Sequence, residues 1–238
     1  MNEKEFLENY NMRDYPPVAA TVDVAVFTIR DGALSLLLVK RGEHPERGKW
    51  ALPGGFVNHD ESLDETASRE LSEEVGIELP YLEQLKTYGN PVRDARGFVV
   101  TVVYVALVPN VDSLRAGSDA ADARFFDVDD VLDPSFTLAF DHDVIIADGL
   151  ERVRAKIEYA PVAHNFLSSS EFTLTELRKV YETVWGQELT PSNFRRKVLS
   201  VPGLVVGVNK KSNETNGRPS DLYTAGDASV IHPPIQQP

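Results

Sequence analysis

The chain has 238 residues, 42% of them apolar and 26% charged, no cysteine, and a formal net charge of −13. The lack of cysteine excludes disulfides, thiolate metal centres and cysteine nucleophiles, so any metal must be held by oxygen or histidine, and with five histidines oxygen is the better donor. An evenly acidic protein would be repelled by nucleic acid, but residues 160–238 carry 8 Lys and Arg against 7 Asp and Glu, leaving 16 against 30 for residues 1–159.

Residues 1–17 have no apolar core of signal-peptide length, and no apolar run approaches the roughly 18 residues of a membrane span, so a cytoplasmic protein with no membrane partner is expected. From Thr21 the run TVDVAVFTIR, the turn Asp31-Gly32 and the run LSLLLVKRG predict a β-hairpin. A helix follows in ESLDETASRELSEEVG, opened by a Ser62/Glu65 capping box and stopped by Gly76, with Leu63, Ala67, Leu71 and Val75 as its buried stripe. Strands are expected in GFVVTVVYVALVP, residues 97–109, and in ARFFDVDD. Strands flanking a central helix without a βαβ repeat predict an α+β domain with a mixed sheet.

A second helix is expected at about residues 143–158, where Ile146, Leu150, Val153 and Ile157 keep helical spacing up to Pro161. Thr173 and Glu176 form another capping box, opening the helix LTELRKVYETVW, which Gly186 ends. Thr190-Pro191 starts the short helix SNFRRKVLS, and residues 204–208 and 221–224 are expected to pair around a polar loop. Helix, helix, hairpin is the winged helix-turn-helix order. The expected organisation is an N-terminal segment (1–17), an α+β domain (18–140), a connecting helix (141–160), a winged helix (161–224) and a disordered tail (225–238).

In the first helix Glu70, Glu73 and Glu74 fall within an arc of roughly 100°. Such carboxylates, without interleaved lysines, repel one another; they are either a solvated face or a site for a hard divalent cation such as Mg²⁺ or Mn²⁺. Gly54 and Gly55 just before it let the backbone approach a phosphate. Gly55, Glu61, Arg69, Glu70, Leu71, Glu73, Glu74, Gly76 and Ile77 together resemble the Nudix box of nucleoside-diphosphate-linked hydrolases at every fixed position. The resemblance implies that Glu70, Glu73 and Glu74 bind metal on a diphosphate, that Arg69 orients them by ion pairing and that Glu61 supports loop and helix. Such a metal polarises phosphoryl oxygens and activates water. The runs LLLVKRGEHPERGKWALPGGFV and YGNPVRDARGFVVTVVYVALVP resemble the ADP-ribose-preferring branch. Arg41, Lys49 and Arg96 are candidate contacts to a dianionic ligand, beside Gly54, Gly55 and Phe56.

Residues 190–218 hold six basic side chains against Glu214 alone. With Phe194 and Val198 facing inward, Ser192, Asn193 and Arg196 point to the opposite side of the helix, flanked by Arg195 and Lys197. An amide and arginines toward a major groove, with basic neighbours toward phosphates, is the layout of a recognition helix, and Lys210, Lys211 and Arg218 would sit in its wing. With LAFDHDVIIADGLERVRAKIEYAP as connecting helix and GRPSDLY as return strand, the chain resembles the Nudix-related transcriptional regulators of NAD metabolism, the NrtR type. That resemblance implies a homodimeric repressor of NAD biosynthesis or salvage genes, bound to double-stranded operator DNA and released when ADP-ribose binds. Regulators of this type commonly have eroded Nudix boxes, and this box is complete. The alternative is therefore a Mg²⁺-dependent ADP-ribose pyrophosphatase with an accessory C-terminal domain. Against hydrolysis, Asp119 stands roughly where hydrolases often place a later catalytic glutamate.

Overall fold

The computed structural model describes residues 1–74, 76, 81–111, 120–212 and 219–237. Val75, Ile77, Asp119 and Arg218 lie outside the described residues, as does the side chain of Glu74.

After a short helix α1 (Glu3–Asn9), the chain forms the expected hairpin of β1 (Ala19–Arg30) and β2 (Ala33–Arg41). Asp31 and Gly32, both at positive φ, make the turn whose twist matches the strands it joins. Then come β3 (Trp50–Ala51), β4 (Gly54–Phe56), α2 (Leu63–Glu74), β5 (Leu82–Tyr88), β6 (Val99–Leu107), β7 (Ala120–Asp127), the one-turn helix α3 (Val128–Val131) and α4 (His142–Tyr159). One mixed sheet runs β3-β2-β1-β6-β5, with β4 also paired to β1 and β7 to β2. Among the described strand-to-strand pairs of this sheet only the central one, β1–β6, is parallel, and a single parallel bridge joins Trp50 to Leu138.

Strand β1 is buried on both faces, which its near-continuous apolar run allows. Val22, Val24 and Val26 pack with Ala67 and Leu71 of α2, whereas Ala25 and Phe27 face α4 through Ile145, Ile146, Leu150 and Val153. The sheet is thus covered by one helix on each side, and its two faces hold two separate apolar clusters. The Ser62/Glu65 capping box forms as expected, with reciprocal bonds of 2.8 and 3.3 Å. At the other end of α2, Gly76 takes φ 68° and its N–H donates to the carbonyls of Leu71 and Ser72.

The second module consists of β8 (Phe172–Thr173), α5 (Leu174–Trp185), α6 (Pro191–Ser200), β9 (Val205–Lys211) and β10 (Asp221–Ala225), the sheet running β8-β10-β9. The Glu182 carboxylate fixes the turn between α5 and α6: it accepts from the Leu189 N–H at 2.7 Å and from Arg178 at 2.5 Å. The core of this module, with Tyr181, Trp185, Phe194 and Val198, is continuous with the α4 face of the first sheet. Helix α4 therefore belongs to both modules.

Residues 226–237 do not behave as the expected disordered tail. Ile231 and Ile235 are buried, and their N–H groups donate to the carbonyls of Tyr159 and Glu158 at 2.7 and 2.9 Å. Composition predicts disorder because few residues here are apolar; two isoleucines that meet an already formed surface are enough to order the segment.

Candidate functional site

Arg69 organises the acidic helix. Its guanidinium reaches Glu61 at 2.7 Å, Glu70 at 2.8 Å and Glu73 at 3.2 Å, and donates to the Phe56 carbonyl at 3.3 Å. Arg69 thereby holds Glu61 below the usual carboxylate range and is itself pushed further up. Glu65, by contrast, is held by the Ser62 backbone and hydroxyl, which fits a structural role.

Glu70 is the buried member of the set, and burial pushes its carboxyl up despite the pull of Arg69. A Cβ added to Gly55 would lie 2.1 Å from a Glu70 oxygen, so glycine there makes the seat for this carboxylate. Because Glu70 gives up its proton later in the folded chain than in the unfolded one, stability falls as pH rises from the ordinary glutamate value through the raised one. Glu70→Gln is expected to remove this falling contribution from the pH dependence of the urea midpoint above the ordinary glutamate value. An unchanged slope would remove Glu70 as its source.

Among the described residues no three His, Asp or Glu groups are placed to hold a metal ion together; Glu61, Glu70 and Glu73 are gathered on Arg69, and the side chain of Glu74 lies outside the description. Hard carboxylate oxygens beside a buried Glu70 fit Mg²⁺ or Mn²⁺ chemically.

Next to the acidic cluster is a cleft lined by Arg41, Gly54, Gly55, Phe56 and Arg96, with Thr21, Asp23, Leu52, Arg93, Asp94, Val99, Phe140 and His142. The Arg41 guanidinium lies 4.9 Å from the centre of the Phe140 ring, and that of Arg96 lies 5.1 Å from Phe56 and 6.0 Å from Phe140. Burial and the neighbouring Arg96 charge both lower the pKa of Arg41. An anion seated between the two cations would relieve that repulsion. Arg96 is also aimed by Asp94, at 2.7 Å. Lys49 is not brought to this cleft; its ammonium is paired with Glu46 in the loop between β2 and β3.

Sequence reasoning missed Asp23, Arg93, Phe140 and His142. Each comes from a segment far from the Nudix box, so only the fold assembles them. Phe140 stands at φ 55°, a conformation bulky side chains rarely adopt, costing on the order of 1–3 kcal/mol. Buried His142, whose pKa burial lowers, accepts from the Leu52 N–H at 2.9 Å through Nδ1, and its Nε2 faces Asp23 at 3.9 Å. Arg93 is bidentate on Asp141, at 2.7 and 3.1 Å. Asp141 and His142 begin α4, so the cleft rests directly on the helix shared by both modules.

In the second module Phe194 and Val198 are buried, and Ser192, Asn193, Arg195 and Arg196 are exposed. Among the described residues Arg196 and Lys197 form no salt bridge, whereas Arg195 lies 4.0 Å and Lys211 2.5 Å from Asp221, and Lys210 is 2.6 Å from Glu171. Arg196 and Lys197 are therefore the cations of α6 most open to an anionic partner.

The NUDIX domain family matches residues 19–148, and the NrtR DNA-binding winged helix domain family matches residues 166–225. The ADPR responsive transcriptional repressor NtrR of Acinetobacter baylyi is 36% identical over 224 residues, covering 93% of this chain and 88% of that one. The crystal structure of Shewanella oneidensis NrtR complexed with a 27mer DNA is similar with a TM-score of 0.80 at 38% identity, over 91% of this chain and 99% of that one. The NUDIX domain of the same Shewanella protein, complexed with ADP ribose, is 42% identical with a TM-score of 0.60, over 64% of this chain and 99% of that one.

Proposed function

The chain belongs to the Nudix family, in the NrtR group that joins this domain to a DNA-binding winged helix, and from that premise we propose that it is a transcriptional repressor of NAD biosynthesis or salvage genes with ADP-ribose as effector. One observation carries the reading: a guanidinium-lined cleft on the Nudix domain rests on the start of α4, and the helix pair α5–α6 shares the apolar cluster of that same helix. The two cations Arg41 and Arg96 suit the diphosphate, and the Phe56 and Phe140 rings offer faces for a base or ribose. On α6, Asn193 and Arg196 face a major groove while Lys197 and Arg195 reach phosphates. The repressor acts as a homodimer, since two-fold symmetry matches a palindromic operator.

The expected result is a gel shift of a palindromic promoter fragment that ADP-ribose reverses. By linkage, DNA must weaken ADP-ribose binding by the same factor. Binding without sequence preference, or a shift that ADP-ribose leaves intact, would falsify the proposal. Arg196→Ala is expected to weaken operator binding by about 1–3 kcal/mol, the scale of one lost base contact, and to spare random DNA. Fluorescence anisotropy on both duplexes separates the two; equal weakening demotes Arg196 to a phosphate contact.

A second reading, ADP-ribose hydrolysis to AMP and ribose 5-phosphate, is favoured by the complete box around Arg69. Glu70 and Glu73, with Glu74 as the box spacing implies, would hold Mg²⁺ or Mn²⁺, which when bound polarises phosphoryl oxygens. This chain's own contribution is to orient the carboxylates through Arg69 and to seat the ligand on Arg41 and Arg96. Hydrolysis requires AMP release in Mg²⁺ above that of Glu70→Gln. Release no greater than the variant's leaves the domain as a sensor.

A further inference from the structure

Residues 226–237 lie beyond the stretch matched by the winged helix family, and the structure gives them defined contacts on two sides. Where the segment leaves β10, Gly226 and Gly203 pack backbone to backbone. A Cβ on Gly226 would lie 2.0 Å from the Gly203 carbonyl oxygen, and that oxygen accepts from the Ala228 N–H at 3.0 Å. This contact turns the chain away from the wing and back toward α4.

There the N–H groups of Ile231 and Ile235 bond the carbonyls of Tyr159 and Glu158, in the last turn of α4, where carbonyls have no partner within the helix. Ile231 and Ile235 are 1% and 4% exposed, in the same apolar cluster as Ile157 of α4 and Phe194 and Val198 of α6. Val230, beside them in sequence, is 58% exposed. On its other side the segment faces α6 across a cleft that Pro234, Ile235 and Gln236 line with Phe194, Asn193, Arg196 and Lys197.

We propose that residues 226–237 form a strap that positions the recognition helix, tying α6 to the C-terminal end of α4 so that Asn193 and Arg196 are presented in one register to DNA. The strap acts through α6 and needs no DNA contact of its own. Because it grips the last turn of α4 while the ligand cleft rests on the first, it also fixes α6 to the helix that the effector touches. This inference rests on the DNA-binding reading above.

The test compares the full chain with a chain ending at Ala225, and with Ile231→Ala, Ile235→Ala and Val230→Ala. The probe is a duplex selected from a random pool by the full chain, with a scrambled duplex beside it. The truncation and Ile235→Ala are expected to lower affinity for the selected duplex about tenfold, the scale of one displaced base contact. Scrambled-duplex binding and ADP-ribose affinity by calorimetry should stay unchanged, and Val230→Ala should match the full chain. Amide exchange gives a readout independent of DNA: α6 should exchange faster without the strap, and α5 should not. If the truncated chain fails to fold, the single Ile231 and Ile235 variants decide by the same two measurements. Unchanged selected-duplex affinity together with unchanged α6 exchange overturns the strap. Failure of the full chain to enrich any sequence instead overturns the DNA-binding reading, and the strap falls with it.

Discussion

Trp185→Ala is expected to lower the stability of the chain by about 3–5 kcal/mol, the range for removing a large buried aromatic side chain. Trp185 is buried at the end of α5, packed edge-on to Tyr181 at 5.1 Å. Its indole N–H donates to the Arg154 carbonyl of α4 at 3.1 Å, and the Arg154 guanidinium donates back to the Val184 carbonyl at 3.2 Å. This reciprocal clasp holds the winged helix on the connecting helix. Removing the ring opens a cavity and takes from the Arg154 carbonyl the donor it has beyond its own helix. Denaturant unfolding should then change from one transition to two as the modules separate, and ADP-ribose should still bind but no longer release DNA. Trp185→Phe divides the effect: it keeps much of the packing and loses the hydrogen bond, at about 1–3 kcal/mol. A single transition at an unchanged midpoint for Trp185→Ala would show that the clasp does not join the modules.

Arg93→Ala is expected to cost about 2–4 kcal/mol, somewhat below the full penalty for breaking a buried ion pair because Asp141 keeps partial access to water. The Arg93 side chain is 4% exposed and that of Asp141 26%. Arg93 stands on the loop before β6 and Asp141 at the start of α4, so the pair fastens that helix to the ligand cleft. The functional signature should exceed the loss of stability. ADP-ribose should bind several-fold more weakly, and the release of DNA per bound ligand should fall, because the cleft no longer pulls on α4. Calorimetry with and without operator DNA reads the coupling factor directly. A variant that loses affinity but keeps the full coupling factor would assign Arg93 to ligand binding alone.

Both predictions concern contacts that no local pattern announces. Elements with a strong local signature were legible: the Asp31-Gly32 hairpin, the Ser62 and Thr173 capping boxes, the helical spacing of Ile146, Leu150, Val153 and Ile157, and the inward Phe194 and Val198. Strand β5 was not, because it is an edge strand with a single buried residue, Leu85, and little alternation. The parallel pairing of β1 with β6 joins residues about eighty positions apart, and hydrophobic runs carry no information on partner or direction. The candidate site divides in the same way. Glu61, Arg69, Glu70 and Glu73 come together because all lie on or beside one helix, where spacing dictates geometry. Lys49 was expected at the cleft on charge alone, and charge does not say whether a nearer carboxylate, here Glu46, takes it first.

The sequence by itself determined that an acidic phosphate-handling module is followed by a basic helix-helix-hairpin module, since periodicity, caps and motif spacing are local properties of the chain. Only the tertiary structure decided that Arg41, Phe56, Arg96 and Phe140 share one cleft, that this cleft rests on the first turn of α4, and that residues 226–237 return to its last turn. Those relations depend on burying apolar surface between segments distant in sequence, and the drive to bury it is non-directional. It favours association of the faces but leaves partner and register to the packing of the whole.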